Sequence, residues 1–417
     1  MHTQKEAIMH RNIIVGQSGG PTAVINSSLA GVFQAAKDLG AQKIYGMRHG
    51  IQGLLEGDYV LLTDYIKSPM DVDLLKRTPS SYLGSCRYKL PPIEMGKEVY
   101  EQIFARLEDL EIDAFFYIGG NDSMDTIKML SDYAAQIDSP IRFIGVPKTI
   151  DNDLAATDHT PGYGSAAKFI ATVTKELILD SLVYDMKAVT IIEIMGRNAG
   201  WLTAAAALAK GADCPGVDLI YLPESTFDPE SFTERVRALV AKKKSLVIAV
   251  SEGIKLADGR YVFELASEAS SVDAFGHKQM QGVGKVLADM LAARLGIKTR
   301  AVELNTMQRC ASHLASNVDV TEAFQVGAAA VKYAFEGKTG QVVTLDRVSN
   351  TPYQCITGCQ DVHMIANVEK TVPAEWMIDD GTNVSDELIA YIRPLIQSEV
   401  PPMMVEGLPM HLNNLYF

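Results

Sequence analysis

The sequence predicts an α/β chain built on parallel-rich, doubly wound sheets. Three observations carry that expectation. Short runs of β-branched and aromatic residues recur, apolar on both faces, as strands covered by helices on both sides must be. Each run ends in a turn rich in Gly or polar residues. A helical stretch follows most of these turns, the alternation that builds a parallel sheet.

The elements come in order. Residues 12–15 read as a buried strand, and Gly19-Gly20-Pro21 leads into a helix over 24–39 that Leu39-Gly40 stops. Residues 113–118 read as the second strand, with Gly119-Gly120-Asn121-Asp122-Ser123 opening a helix to about 135. Residues 141–146 give a third strand, ending at Pro147. Residues 188–195 give a fourth, followed by Gly196 and an Ala-rich helix after Gly200. Residues 246–250 give a fifth, ending in Ser251-Glu252-Gly253. A helix over about 281–295 carries Val283, Val286, Leu287, Met290, Leu291 and Leu295 on one stripe and stops at Gly296. The tail beyond about Gly340 carries no motif.

The chain has 417 residues, a length that suggests two or three domains. Hydrophobic residues at 47% and charged residues at 21% exclude a mainly disordered or fibrous protein. The net charge of −13 argues against a nucleic-acid or anionic-membrane partner, so a phosphate ligand would need a local cluster of cations. The cysteines, Cys86, Cys214, Cys310, Cys355 and Cys359, are odd in number and lack zinc spacing, which fits reduced thiols in a cytoplasm. Met1 to Arg11 lacks the apolar core of a signal peptide, and no apolar run is long enough to span a bilayer.

Ligands of open α/β sheets bind beyond the carboxyl ends of the strands, where all these turns lie. Gly19-Gly20-Pro21 reads as an anion site at a helix start or as a plain turn. Asn121, Asp122 and Ser123 can each cap the following helix, and one cap suffices. Asn121 could therefore hold Mg²⁺ through its carbonyl or through a bound water. Asp122 would repel an extended phosphate chain. The densest constellation is Pro147-Lys148-Thr149-Ile150-Asp151-Asn152-Asp153. It offers a cation for phosphoryl oxygens in Lys148 and a fixed carboxylate base in Asp151. Met195-Gly196-Arg197, Glu252, Arg87, Arg300 and Arg309 supply further strand-end charges. Gly162 to Ala167 matches a dinucleotide fingerprint but follows Asp158-His159-Thr160-Pro161 instead of a strand, so its context fails.

Together these turns resemble the phosphofructokinase family, over roughly residues 10–335: GGPTAVIN at Gly20, GSCR at Arg87, GGNDS, PKTIDND, MGR, SEG, and two arginines nine apart at Arg300 and Arg309. The resemblance implies two Rossmann-like α/β/α domains with the active site in the cleft between them. The phosphoryl-donor domain is expected at 1–160 plus about 308–360, and the sugar-phosphate domain at 161–307 plus about 361–417. The implied reaction is phosphorylation of the 1-hydroxyl of fructose 6-phosphate, a glycolytic step, with Mg²⁺ as cofactor. Asp151 then matches the general base. Thr149, Ile150, Met195, Gly196, Arg197 and Glu252 match sugar-binding positions, and Arg309 a 6-phosphate ligand. Arg300 matches a residue reaching the site of a neighbouring subunit, which implies a homo-oligomer with shared active sites. Gly20 and Arg87 match donor contacts.

Two residues choose the donor. ATP-using members carry Gly where this chain has Asp122 and Lys148. Two anions about 4 Å apart at an effective dielectric of about 20 repel by roughly 4 kcal/mol, which disfavours an extended nucleotide. Lys148 aims an ammonium at a compact anion. Both changes resemble pyrophosphate-dependent enzymes, with an ATP-dependent kinase and a non-catalytic sugar-phosphate sensor as the alternatives. Three departures stand out: Asn121 for a metal-binding Asp, Thr306 for a substrate-side His, and Ala188 for a second cross-subunit Arg, with Lys187 pointing elsewhere. Ala30 and Gln34 replace the two arginines of the bacterial effector site, so no effector control is expected there.

Overall fold

The computed structural model describes residues 12–265, 282–413 and 415. The 1–11 segment and the expected helix start at Gln281 lie outside these. Among the described residues, eleven strands make the two larger sheets. They are β1 (Asn12–Gln17), β2 (Ile44–Met47), β3 (Tyr59–Leu61), β4 (Ile112–Gly119), β5 (Arg142–Pro147), β6 (Ala188–Ile194), β7 (Leu219–Tyr221), β8 (Ser245–Ser251), β9 (Lys298–Glu303), β10 (Gln341–Asn350) and β11 (Tyr353–Asp361). The first sheet runs β11-β10-β5-β4-β1-β2-β3, parallel except at its two outermost pairs, β10 with β11 and β2 with β3. The second runs β7-β8-β6-β9 and is parallel throughout. The fold is thus α/β with parallel-rich sheets.

The strand order explains where a ligand can sit. From β1 the chain goes to β2 on one side, while β4 pairs on the other. Such a switch opens a crevice at the carboxyl ends, between the turns after β1 and β4. The second sheet repeats the device around β6, with β8 on one side and β9 on the other.

Helix packing closes the first core. The helices Ile25–Asp38 and Asn317–Phe335 cross with their backbones nearly touching. A Cβ on Gly31 would lie 2.0 Å from the Phe324 carbonyl oxygen, and one on Gly327 2.1 Å from that of Ser28. Only glycine fits at either position. The Ala-rich stretch after Gly200 gives one α-turn, Trp201–Ala204, then a 3₁₀ stretch, Ala205–Ala209, all buried with the helix Tyr163–Ser181.

The motif-poor tail proves to be core in several places. Val362, Ile365 and Ala366 pack under the first sheet. Val372, Leu388, Ile392 and Leu395 join the core of the second half. Trp376 packs edge-on and Tyr391 tilted against Trp201, at centroid distances of 6.1 and 5.4 Å. Leu412 then returns to the first core, its N–H donating to Thr78 Oγ1 at 3.0 Å. Residues beyond 361 pack against both cores, because their apolar residues come in separate clusters.

A buried charged network ties tail to body. The His159 ring bonds Asp158 through Nδ1 at 2.8 Å and Glu322 through Nε2 at 2.7 Å. Tyr353 Oη donates to Glu322 at 2.6 Å, and Arg347 pairs with Asp158 at 2.8 Å. Burial by itself would lower the His159 pKa, but the hydrogen bonds to Asp158 and Glu322 outweigh it and raise the value above 6.5. The imidazolium form is therefore stabilised by folding. Its contribution is full below pH 6.5 and is lost as pH rises through the raised native value. His159→Ala, which leaves two carboxylates facing each other in the interior, is expected to cost about 3–5 kcal/mol in urea unfolding. The wild-type advantage should shrink on the alkaline side. A variant as stable as wild type at pH 6 would refute this account.

Candidate active site

The cleft holds about 610 Å³ and is lined by the strand-end turns of both sheets. Its floor is set by backbone geometry. Gly19 has φ +73°, a left-handed conformation that a side chain rarely adopts. Ser85 Oγ donates to the Gly19 carbonyl at 2.6 Å, which fixes the turn against the Gly84-Ser85-Cys86-Arg87 loop. Lys148 Nζ donates to the Gly20 carbonyl at 2.7 Å, and its own N–H to the Gly119 carbonyl at 2.9 Å. Three turns are thereby locked together.

Cations and carboxylates interleave along the cleft. A Cβ on Gly20 would meet the Arg309 guanidinium at 3.2 Å, so Arg309 lies on the Gly20 turn. Arg87 is close enough to depress the pKa of both Arg309 and Lys148, though burial is the larger cause for each. Lys148, fully buried, is brought down to about 8, with the carboxylates of Asp151 and Asp153 opposing the fall. Three cations that crowd one another around exposed glycine backbone form a site suited to a polyanion.

Asp151 sits between that group and Arg197. Burial raises its pKa, while Lys148 and Arg197 hold it back. Asp153 is pushed up to about 7, first by burial and then by Asp151, and its Oδ1 is buried without a hydrogen-bond partner. Between them, Asn152 takes a left-handed φ of +55°. Its side chain accepts from the Thr160 N–H at 3.1 Å and donates to Tyr391 Oη at 3.0 Å. This anchoring turns both flanking aspartates toward the cleft, and Thr149 Oγ1 accepts from the Asp151 N–H at 3.1 Å.

The second sheet supplies the opposite wall. Glu252 Oε1 accepts from the Gly196 N–H at 3.3 Å, and Gln308 Oε1 from the Met195 N–H at 3.3 Å. Burial, then Asp151, pushes Glu252 up to about 8, so near neutrality its carboxyl is largely protonated and can donate to a sugar oxygen.

The structure thus brings together Gly20, Arg87, Asp122, Lys148, Thr149, Ile150, Asp151, Met195, Arg197, Glu252 and Arg309, with Gly196 just behind the wall. Arg300 and Thr306 do not line this cleft. Arg300 lies on β9, half-exposed, 3.7 Å from Asp180, and Thr306 is an exposed residue preceding the short helix Met307–Cys310. Asn121 borders the cleft, but its amide is engaged: Oδ1 accepts from the Asn367 N–H at 2.9 Å and Nδ2 donates to the Val368 carbonyl at 3.2 Å. Nor do Asn121, Asp122 and Ser123 cap their helix through side chains, since Gly120 is its N-cap and Ser123 Oγ bonds Ser18 Oγ. Sequence reasoning missed Asp153 as a lining residue, although its spacing from Asp151 was visible. It also missed Asn198, Asn367 and Glu369, and the last two carry no local signal.

Two α/β halves facing each other across glycine-rich turns, with a buried ammonium and a buried carboxylate between them, suit a phosphotransferase. The phosphofructokinase sequence model matches residues 12–334, and the chain belongs to that family. It is 38% identical to the pyrophosphate–fructose 6-phosphate 1-phosphotransferase of Methylococcus capsulatus, over 96% of this chain and 94% of that one. It is 39% identical to the protein of the same name from Halomonas elongata, over 95% and 94%. The crystal structure of the pyrophosphate-dependent phosphofructokinase of Nitrosospira multiformis superposes with a TM-score of 0.87 at 37% identity, covering 97% of both chains.

Proposed function

We propose that the chain transfers a phosphoryl group from pyrophosphate to the 1-hydroxyl of fructose 6-phosphate, giving fructose 1,6-bisphosphate and orthophosphate. The observation that carries this is Lys148: a buried ammonium where a strand meets the donor turn, bonded to Gly20 and close to Asp151. Asp151 accepts the proton from O1. O1 then bonds the near phosphorus, the bridging P–O bond breaks, and orthophosphate leaves. Lys148, Arg87 and the Gly20 turn hold the donor, while Arg197, Glu252 and Arg309 orient the sugar phosphate. Arg309 also lies against Gly20, at the border of both subsites.

The first sheet, with 341–361, is the donor half, and the second sheet the sugar half. A divalent cation would be held by the partnerless Asp153 oxygen, a hard donor suited to Mg²⁺. Asn121 has one carbonyl lone pair left for it. When bound, Mg²⁺ would neutralise charge on the transferring group. No described helix is long and apolar enough to cross a membrane, and all five cysteines are free, in keeping with a cytoplasmic enzyme. Leu182, Val183, Tyr184 and Met186 form an exposed apolar patch near Arg300. A second copy covering it would carry Arg300 toward a neighbouring site, in keeping with a homo-oligomer.

The test is product formation from fructose 6-phosphate with pyrophosphate or ATP at matched concentration and with Mg²⁺ present. Turnover with pyrophosphate is expected to exceed that with ATP by at least a hundredfold. Turnover with ATP alone would overturn the reading.

A further inference from the structure

The tail segment 367–370 crosses from one half of the cleft to the other. On the donor side it is fixed to one face of the helix Asn121–Gln136, at positions 121 and 125. Both ends of the Asn121 amide bond its backbone, and Asn367 Nδ2 donates to Asp125 Oδ1 at 2.8 Å. On the sugar side, Asn198 Nδ2 donates to Glu369 at 2.9 Å, and Trp201 Nε1 to the Lys370 carbonyl at 2.9 Å. Between them, the Lys370 N–H donates to the Asp153 carbonyl at 2.8 Å. Asn367 and Glu369 both face the cavity.

Resting on the pyrophosphate reading, we propose that this strap is a size gate for the donor. It walls the cleft along the first turn of the helix beyond Asp122, so that a diphosphate fits and a third phosphate or a nucleoside does not. The wall is fixed, because its bonds run to both halves and to the loop carrying Asp151. It is also acidic, with Asp122 and Glu369 bordering the path a longer polyanion would take. The gate differs from the charge of Asp122: it acts on length, and on uncharged bulk as well as on phosphate. It also gives the amide of Asn121 a role that a carboxylate could not fill, since an aspartate has no donor for the Val368 carbonyl.

Two variants test it in the full-length protein. Asn367 has φ +63°, so Asn367→Gly removes the wall's side chain at a position glycine adopts freely. Asn121→Ser removes the two bonds that the strap's backbone makes to this amide. Tripolyphosphate is the probe, because it lengthens the donor without adding a base. The ratio of kcat/KM for tripolyphosphate over pyrophosphate is expected to rise at least tenfold in each variant. A ratio within twofold of wild type in both, or an equal loss with both donors, would overturn the gate. Wild type inactive with pyrophosphate would instead sink the underlying assignment, which the same assay reads separately.

Discussion

Asp151→Asn is expected to lower kcat with pyrophosphate by about 10²–10⁴-fold, the range for loss of a general base. The KM for fructose 6-phosphate should change little, because in the proposed arrangement the sugar phosphate is held mainly by Arg197, Glu252 and Arg309. The substitution is nearly isosteric and keeps the loop geometry that Thr149 and Asn152 impose on the backbone. The pH profile carries the finer test. Burial raises the Asp151 pKa, so the free enzyme gains activity as pH climbs through that raised value and the base ionises. Lys148, at about 8, loses its charge on the alkaline side, and kcat/KM falls again. Glu252 titrates in the same region, so the alkaline limb by itself does not identify Lys148. Lys148→Arg separates the two, because a guanidinium holds its proton throughout. The limb near pH 8 should then move upward in whatever activity survives. Asp151→Asn within tenfold of wild type, or an unchanged limb in Lys148→Arg, would contradict these roles.

The sequence revealed most of this cleft's lining for a physical reason. Parallel strands buried on both faces must be written as apolar runs, so the strands carrying the site were visible as such: 113–118 became Ile112–Gly119, and 188–195 became Ala188–Ile194. Turns at the carboxyl ends of parallel strands then have to converge, so placing the strands also placed Lys148, Asp151, Arg197 and Glu252. The short edge strands β3 and β7, three residues each, are too brief to show a period. The strap was invisible for another reason. Asn367 meets Asn121 across 246 residues, and nothing local in Asn-Val-Glu-Lys says where a tail will land. Asn121 was conspicuous as a polar residue beyond what capping requires, which prompted a metal role. Its hydrogen bonds go to a segment whose arrival only the folded chain discloses.

Lys148→Gly combined with Asp122→Gly should move donor preference toward ATP, and the two sites contribute unequally. Lys148 is buried and preorganised, and removing one such stabiliser from a transferring group is expected to cost about 10²–10³ in kcat with pyrophosphate. Asp122 is exposed at the cleft, so water screens it. Its repulsion of a phosphate about 4 Å away lies between about 1 kcal/mol in water and about 4 kcal/mol at a dielectric of about 20. A value of about 1–2 kcal/mol corresponds to a gain of roughly five- to thirtyfold in ATP use by Asp122→Gly. Both residues face the same ligand, so the effects should not simply add. The double variant should shift the pyrophosphate-to-ATP ratio of kcat/KM by at least a hundredfold, mostly through lost pyrophosphate activity, as long as the strap still limits donor length. Adding Asn367→Gly to the double variant should then raise ATP turnover further. Thermal unfolding must be checked in parallel, because Lys148 also ties the Gly20 turn to the sheet. If the folded double variant keeps the wild-type donor ratio, selection does not reside in these two side chains.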